Sequence, residues 1–178
     1  MRGRVSSVAG QGLGAVALLA GLLAAGLLTR PIALAFPGLY GFHAVLAALP
    51  IAFALSLALC KGLRFPLCFL AVALFSLLLL PMSPIMGVSS LAPMIVATLV
   101  YVAIRRGSLD RRALGVGFTY GALFYPCTVA SFLAMGGFGA SWTGSTVLVT
   151  VILIVLGAAL AFFGAVLSTA FFRRKQGD

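Results

Sequence analysis

Residues able to do acid–base, nucleophilic or metal chemistry are few in this sequence. Its carboxylates are Asp110 and Asp178, and its one histidine is His43. Asp110 lies in an arginine-rich stretch, where we expect it to pair with Arg106 or Arg111. No His/Asp/Ser set, metal-ligand pair or Gly-Lys phosphate loop can be assembled from these residues. The sequence therefore predicts no catalytic residue, no metal site and no cofactor, and it indicates that the protein is not an enzyme.

The three cysteines are also poorly placed for chemistry. Cys60, Cys68 and Cys127 are scattered in or near apolar runs and lack the spacing of metal ligands. Free cysteines commonly pack as small hydrophobic side chains. We therefore expect free, buried thiols.

A second set of polar and aromatic residues could bind a small solute without transforming it. A tryptophan or tyrosine ring can stack on an apolar ring, hydroxyl groups can hydrogen-bond, and an arginine or histidine can hold an acceptor or an anion. Such residues occur in or near three stretches, "RPIALAFPGLYGF", "PMSPIMGV" and "GGFGASWTG". The candidates for substrate binding are Arg30, Tyr40, His43, Ser83, Tyr125, Trp142 and Thr143.

Two of these candidates have simpler interpretations. An arginine at the end of a membrane helix can snorkel to the lipid phosphates and anchor the helix, as Arg30 could do. A histidine at a helix end often has its hydrogen bonds satisfied within the protein, as His43 could have. Both alternatives stay open at the level of the sequence.

The composition is that of an integral membrane protein. Of 178 residues, 63% are hydrophobic and 8% are charged, and the mean hydropathy is +1.24. In soluble domains about a quarter of the residues are charged. Apolar runs recur along the whole length, and no polar segment is long enough to fold separately. We therefore expect a single membrane domain over residues 1–178, in contact with the lipid bilayer of the cell membrane.

Six apolar segments are candidates for membrane-spanning helices. The first follows a basic start, as in a signal peptide, but its apolar run is as long as a spanning helix needs, and the following "TRPIA" is a poor cleavage site. The predicted fold is all-α, a polytopic membrane protein with six transmembrane helices. The predicted spans are about 11–29, 43–60, 66–80, 89–105, 113–134 and 145–172.

Charge predicts the orientation of these spans. Eleven of the twelve cations lie before the first span, after the last, or in the connections that follow the second and fourth. By the positive-inside rule this side is the cytoplasm, so both termini are cytoplasmic and the three other connections face outward. Topology and anionic headgroups explain the net charge of +10, and we expect no nucleic-acid partner.

Small residues form a stripe on the first span. Ala17, Gly21 and Ala25 recur at every fourth position, with Ala20 and Ala24 alongside. A face of this kind lets a neighbouring helix approach closely. Similar stripes on the fifth and sixth spans are explained by packing inside the bundle. For the first span, docking to another membrane subunit is the more attractive interpretation.

The layout resembles that of the substrate-binding S component of an energy-coupling factor (ECF) vitamin importer of the ABC type. The shared features are six spans, both termini inside, an alanine-rich first helix and a long first outer loop. The stretches "FPGLYGFHAVLAALPIAFAL" and "LLLLPMSPIMGVSSLAPMIVATLVYVAIRR" are closest in layout to the S components for thiamine precursors. The resemblance implies ligand binding at the outer face, under the loops after spans one, three and five. It also implies that the alanine stripe of the first helix docks on a transmembrane coupling subunit.

The energy source for transport is inferred from the lack of carboxylates in the predicted spans. Proton- and sodium-coupled carriers usually use buried carboxylates, and no predicted span contains one. We therefore expect a subunit that captures a small water-soluble nutrient, a vitamin or vitamin precursor, and that depends on a coupling subunit and two ATPase subunits for transport. The alternative is a structural or assembly subunit of a larger membrane complex, with no ligand of its own.

Overall fold

The computed structural model describes residues 8–35, 42–81, 83–136 and 144–177, with the backbone alone for residues 30, 32–35 and 175–177. This part of the chain consists of helices joined by short turns, and it contains no strand. The helices are α1 (Val8–Ala35), α2 (Phe42–Cys60), α3 (Phe65–Leu79), α4 (Pro84–Ala103), α5 (Leu109–Ala134) and α6 (Gly144–Gly177). The prediction of an all-α chain is confirmed for these residues.

Five of the helices are long and apolar enough to cross a membrane: α1, α2, α4, α5 and α6. The α3 helix is equally apolar but has 15 residues, which at 1.5 Å per residue is about 22 Å. A hydrocarbon core is roughly 30 Å thick. The five long helices make this a chain compatible with multiple membrane crossings.

The boundaries differ most from prediction at the end of α1. The helix was expected to end near residue 29, but it continues through Arg30 and Pro31 to Ala35. Proline removes one backbone donor, whereas unwinding the last turns in apolar surroundings would leave several backbone groups without partners. The part of α1 that is apolar enough to cross a membrane is Val8–Thr29, which agrees with the predicted span, and the helix continues beyond it to Ala35.

The start of α4 was also predicted too late. The helix begins at Pro84 instead of residue 89. Pro84 occupies the first helical turn, where its missing N–H costs nothing, and Ser83 caps the helix by accepting a hydrogen bond from the Met86 backbone N–H at 3.4 Å. The connection between α3 and α4 is therefore a tight turn.

The α2 helix lies at the centre of the bundle. It packs against α1, α5 and α6, and touches α3 over a small area. The remaining contacts join α1 to α3, α3 to α4, α4 to α5 and α5 to α6. Within the described residues, α1 contacts only α2 and α3, so most of its surface lies outside the bundle.

Small residues bring α5 and α6 close to α2. Ala48 and Ala52 of α2 form a fully buried cluster with Ala161 and Ala165 of α6. Gly121 of α5 lies against the same cluster: a methyl group there would be 2.9 Å from the Ala48 carbonyl oxygen and 2.8 Å from the Ala161 methyl carbon. Gly164 of α6 is closer still to α2, because a methyl group on it would overlap the carbonyl oxygen of Leu49. The three backbones therefore meet at distances that larger side chains would prevent.

The main core fills the rest of the bundle with larger side chains. Its fully buried members come from five helices and include Leu22, Ile51, Val72, Met94 and Tyr120. Many other large apolar side chains point outward, among them Leu28 of α1, Leu99 of α4 and Ile152 of α6. An outer surface of this kind suits contact with the lipid bilayer.

Because α6 contacts α2 through Gly164, we expect Gly164→Ala to destabilise the protein by about 1–3 kcal/mol through overpacking. Gly26→Ala is the matched control, since a methyl group at this glycine of α1 meets no atom within 4 Å. The control should be neutral or slightly stabilising, because alanine favours the helix.

The measurement is thermal unfolding in detergent, followed with a fluorescent maleimide that reacts with Cys60 and Cys68, both buried in the fold. Equal melting temperatures for the two variants would contradict the close contact between α2 and α6.

Candidate functional site

The bundle has two chemically different ends. The basic end is formed by the starts of α1, α3 and α5 and the ends of α2, α4 and α6. The opposite end is formed by the other termini of the same helices. The cations whose side chains are described all lie at the basic end, and they are Lys61, Arg64, Arg105, Arg106, Arg111, Arg112, Arg173 and Arg174.

Most of the predicted substrate-binding residues belong to the opposite end. Tyr40, Trp142 and Thr143 lie outside the described residues, as does the side chain of Arg30, whose backbone is in the last turns of α1. Their role in binding therefore stays a prediction. The described candidates are His43, Ser83 and Tyr125.

Two of these candidates lie at helix starts. His43 is the second residue of α2 and is half-buried, which is compatible with either a ligand contact or a helix-end role. Ser83 is half-buried and its hydroxyl oxygen caps α4. The capping bond gives Ser83 a structural role. Ser83 could keep this bond and still contact a solute.

Tyr125 lies inside the bundle. It is 2% exposed, and its side chain interacts with that of Thr150 on α6. In this conformation the geometry gives Tyr125 a packing role between α5 and α6.

A buried polar chain between α3, α4 and α5 was not predicted. The Tyr120 hydroxyl donates to the Ser90 carbonyl at 2.7 Å, and the Ser90 hydroxyl lies 2.8 Å from that of Ser76. Pro93 of the same helix has no N–H to donate to the Ser89 carbonyl, four residues earlier. Tyr120 donates to the neighbouring carbonyl, that of Ser90, and so joins α5 to the backbone of α4 beside the proline.

Ser89 and Ser90 directly follow the stretch "PMSPIMGV" of the predicted outer connection. Both are fully buried, because α4 starts five residues earlier than predicted and carries them into the bundle. The sequence signal that could have revealed this is the position of Ser90 three residues before a proline in an apolar run. Serine and threonine side chains often occur near prolines in membrane helices, where they compensate for freed backbone groups.

At the basic end the prediction for Asp110 is wrong. Asp110 does not pair with Arg106 or Arg111 but with Arg173, whose Nη2 lies 2.7 Å and whose Nε lies 2.8 Å from the carboxylate oxygen Oδ2. The α5 helix starts at Leu109, so Asp110 lies in its first turn beside the last turns of α6, and each charge is favoured by the dipole of its own helix. Both side chains are accessible to solvent, and the pair contributes little stability.

The N-terminal end of α1 is also fixed at the basic end. The Gln11 side-chain amide donates to the Gly62 carbonyl at 2.9 Å, and its oxygen accepts from the Arg64 backbone N–H at 3.0 Å. Gln11 is buried by this contact. Both polar atoms of one side chain therefore bind the turn between α2 and α3.

The small-residue stripe of α1 is divided between the core and the surface. Ala25 is 4% exposed and packs in the main core, and Gly21 is half-buried. Ala17, Ala20 and Ala24 are exposed. The part of the predicted docking set that is open to a partner is therefore centred on Ala20 and Ala24, not on the line through Gly21 and Ala25.

Metal binding finds no support among the described residues, in which no three His, Cys, Asp or Glu side chains come together. The three cysteines are free; Cys60 and Cys68 are buried and Cys127 is half-buried. Comparisons with protein-family models, with curated proteins and with solved structures give no match.

Replacing Tyr120 by phenylalanine should destabilise the fold by about 0.5–1.5 kcal/mol, because the buried hydrogen bond from α5 to the Ser90 carbonyl of α4 would be lost. The control is Tyr101→Phe, which keeps the ring that stacks on Phe65 at a centroid distance of 4.0 Å. Chemical unfolding of both variants in detergent checks the difference. A Tyr120 variant as stable as the Tyr101 variant would argue against the role of the buried polar chain.

Proposed function

We propose that this chain is the substrate-capturing membrane subunit of an ECF-type ABC importer. It binds a small water-soluble nutrient, a vitamin or vitamin precursor, at the opposite end of the bundle. A transmembrane coupling subunit and two ATPase subunits deliver the nutrient across the cell membrane. All six helices span the bilayer, with the basic end and both termini in the cytoplasm.

The observation that carries the proposal is the position of α1. This helix packs on α2 and α3 alone, and its outer face has the exposed alanines Ala17, Ala20 and Ala24 in the middle. Larger exposed side chains, Leu13 and Leu28, lie toward the two ends of the same helix. A strip of small side chains between larger ones allows the close approach of a second membrane helix. This supports docking of the coupling subunit on α1.

The distribution of charge supports the orientation. Eight described cations lie at the basic end, which is the pattern of a cytoplasmic side. The α3 helix is the weakest candidate for a span, but a short apolar helix can be accommodated by local thinning of the bilayer. Its neighbours α1 and α4 are long enough to cross, and α3 packs against both.

The lack of ionisable side chains between the two ends supports an energy source for transport outside this chain. Between the two ends, the described residues include no Asp, Glu, Lys, Arg or His side chain. A carrier driven by protons or sodium would usually place such groups beside the solute. Energy from partner ATPases agrees better with this interior.

One observation favours the alternative, a structural or assembly subunit without a ligand. Tyr125 is used to join α5 to α6, and Ser83 to cap α4, so two of the predicted ligand contacts already have structural roles. The alternative gives the same importance to the exposed face of α1 but predicts no solute affinity. A binding experiment therefore separates the two functions.

Thermal unfolding of the purified protein against a panel of vitamins, vitamin precursors and other small nutrients tests the capture of a solute. A ligand at a hundredfold excess over its dissociation constant should add about 2.7 kcal/mol to the free energy of unfolding. Arg30→Ala should then weaken the affinity for that ligand if Arg30 binds it, and leave the affinity unchanged if Arg30 only anchors α1. A folded protein with no response across the panel would favour the structural subunit.

Docking is tested with Ala24→Leu, which adds bulk at the exposed face of α1 without entering the core. We expect at least a fivefold loss of co-purification with the coupling subunit, and no change in the melting temperature of the isolated chain. Ala159→Leu, at an exposed alanine of α6, is the matched control and should co-purify normally. Equal co-purification of both variants would place the docking surface elsewhere than on α1.

A further inference from the structure

A groove of about 540 Å³ lies between α1 and α2, at the margin of the alanine face of α1. Its α1 wall is built from small residues, among them Gly14, Ala17 and Gly21, and its α2 wall includes Pro50 and Ala54. The groove ends at Lys61, in the turn after α2. It is therefore an apolar channel with one cation at the end that lies nearest the membrane surface.

The length of the groove matches one leaflet of a bilayer. Pro50 and Lys61 are eleven residues apart, which at 1.5 Å per residue is about 16 Å. Half of a hydrocarbon core is roughly 15 Å. A groove that starts at the basic end therefore reaches about to the middle of the membrane.

The walls of the groove are apolar along its length, and they include Leu13 and Leu18 of α1 and Phe53 and Leu57 of α2. Apolar walls of this kind suit contact with an acyl chain.

The charge at the end of the groove favours an anionic occupant. The Lys61 side chain is exposed. Asp110 is the carboxylate among the described residues, and it is paired with Arg173 instead of Lys61. The Gln11 hydrogen bonds to Gly62 and Arg64 hold the turn that carries Lys61 against the start of α1. The turn that carries Lys61 is therefore fixed at the basic end, the end that the charge pattern assigns to the surface with anionic headgroups.

We propose that the groove binds one phospholipid with an anionic headgroup. One acyl chain lies between α1 and α2 and extends toward Pro50, and the phosphate is paired with Lys61. This inference needs neither a solute nor a coupling subunit, and of the three exposed alanines proposed for docking only Ala17 also lines the groove.

The test is native mass spectrometry of the delipidated protein, titrated with phosphatidylglycerol or phosphatidylcholine. We expect one tightly held phosphatidylglycerol. Lys61→Gln should weaken its binding about fivefold, which corresponds to about 1 kcal/mol per lysine near the membrane surface. Arg64→Gln is the matched control: Arg64 is exposed in the same turn but does not line the groove, so its loss should leave the adduct unchanged.

The acyl-chain part of the site is tested by filling the groove. Gly21→Leu should abolish the adduct, and because leucine favours a helix more than glycine does, we expect the variant to fold. Ala17→Leu is a second blocking variant at an exposed position, in case Gly21→Leu is unstable.

Three kinds of result would overturn the proposal. The first is equal weakening by Lys61→Gln and Arg64→Gln, which would indicate general attraction to a basic surface. The second is an adduct that survives both blocking variants. The third is equal affinity for phosphatidylcholine, or a dimer of the chain in place of the lipid adduct.

Discussion

The close approach of α5 and α6 to the backbone of α2 is the contact on which the rest of the bundle depends. In a bilayer, apolar side chains gain little by leaving lipid for protein, so helices associate mainly through van der Waals contact and hydrogen bonds. Gly121 and Gly164 allow that contact because each lies against a carbonyl oxygen of α2. Once these three helices are fixed, α4 is held by α5, α3 by α4, and α1 fits against α2 and α3. The order of dependence explains why the smallest side chains are at the centre and the larger core side chains surround them.

The second constraint is that backbone N–H and C=O groups inside the bundle need hydrogen-bond partners. The prolines Pro50, Pro93 and Pro126 lie inside α2, α4 and α5, and each removes one helical donor. Beside Pro93, Tyr120 of a neighbouring helix donates to the Ser90 carbonyl and so joins α5 to α4. The hydrogen bond from the Ser56 hydroxyl to the Ala113 carbonyl, at 3.0 Å, similarly joins α2 to α5 in the interior. Polar side chains in this bundle therefore hydrogen-bond to backbone carbonyls more often than to one another.

Hydropathy predicted the helices well because a run of apolar residues long enough to cross a bilayer is a local signal. All six predicted segments lie almost wholly within helices of the structure. Helix ends were harder, since Pro31 looks like a terminator but is retained within α1, where the apolar surroundings penalise unwinding. The partner of Asp110 could not be read from the sequence, because Arg173 is 63 residues away and is brought near only by the packing of α5 on α6. For the candidate site the same limit applies: the alanine stripe of α1 is evident in the sequence, but only the packing shows that Ala25 is buried while Ala24 is exposed.

The central position of α2 also has a consequence for biosynthesis. Its small-residue contacts join Ala48 and Leu49 to Ala161 and Gly164, more than a hundred residues later in the chain. A chain that is inserted from its N-terminus therefore places α2 in the membrane well before its main partner is made. Until α6 emerges, the alanine face of α2 has to be covered by lipid or by another protein of the insertion machinery. The α6 helix leaves the ribosome after the five other described helices and closes the centre of the fold, so a chain truncated before α6 lacks its innermost contact.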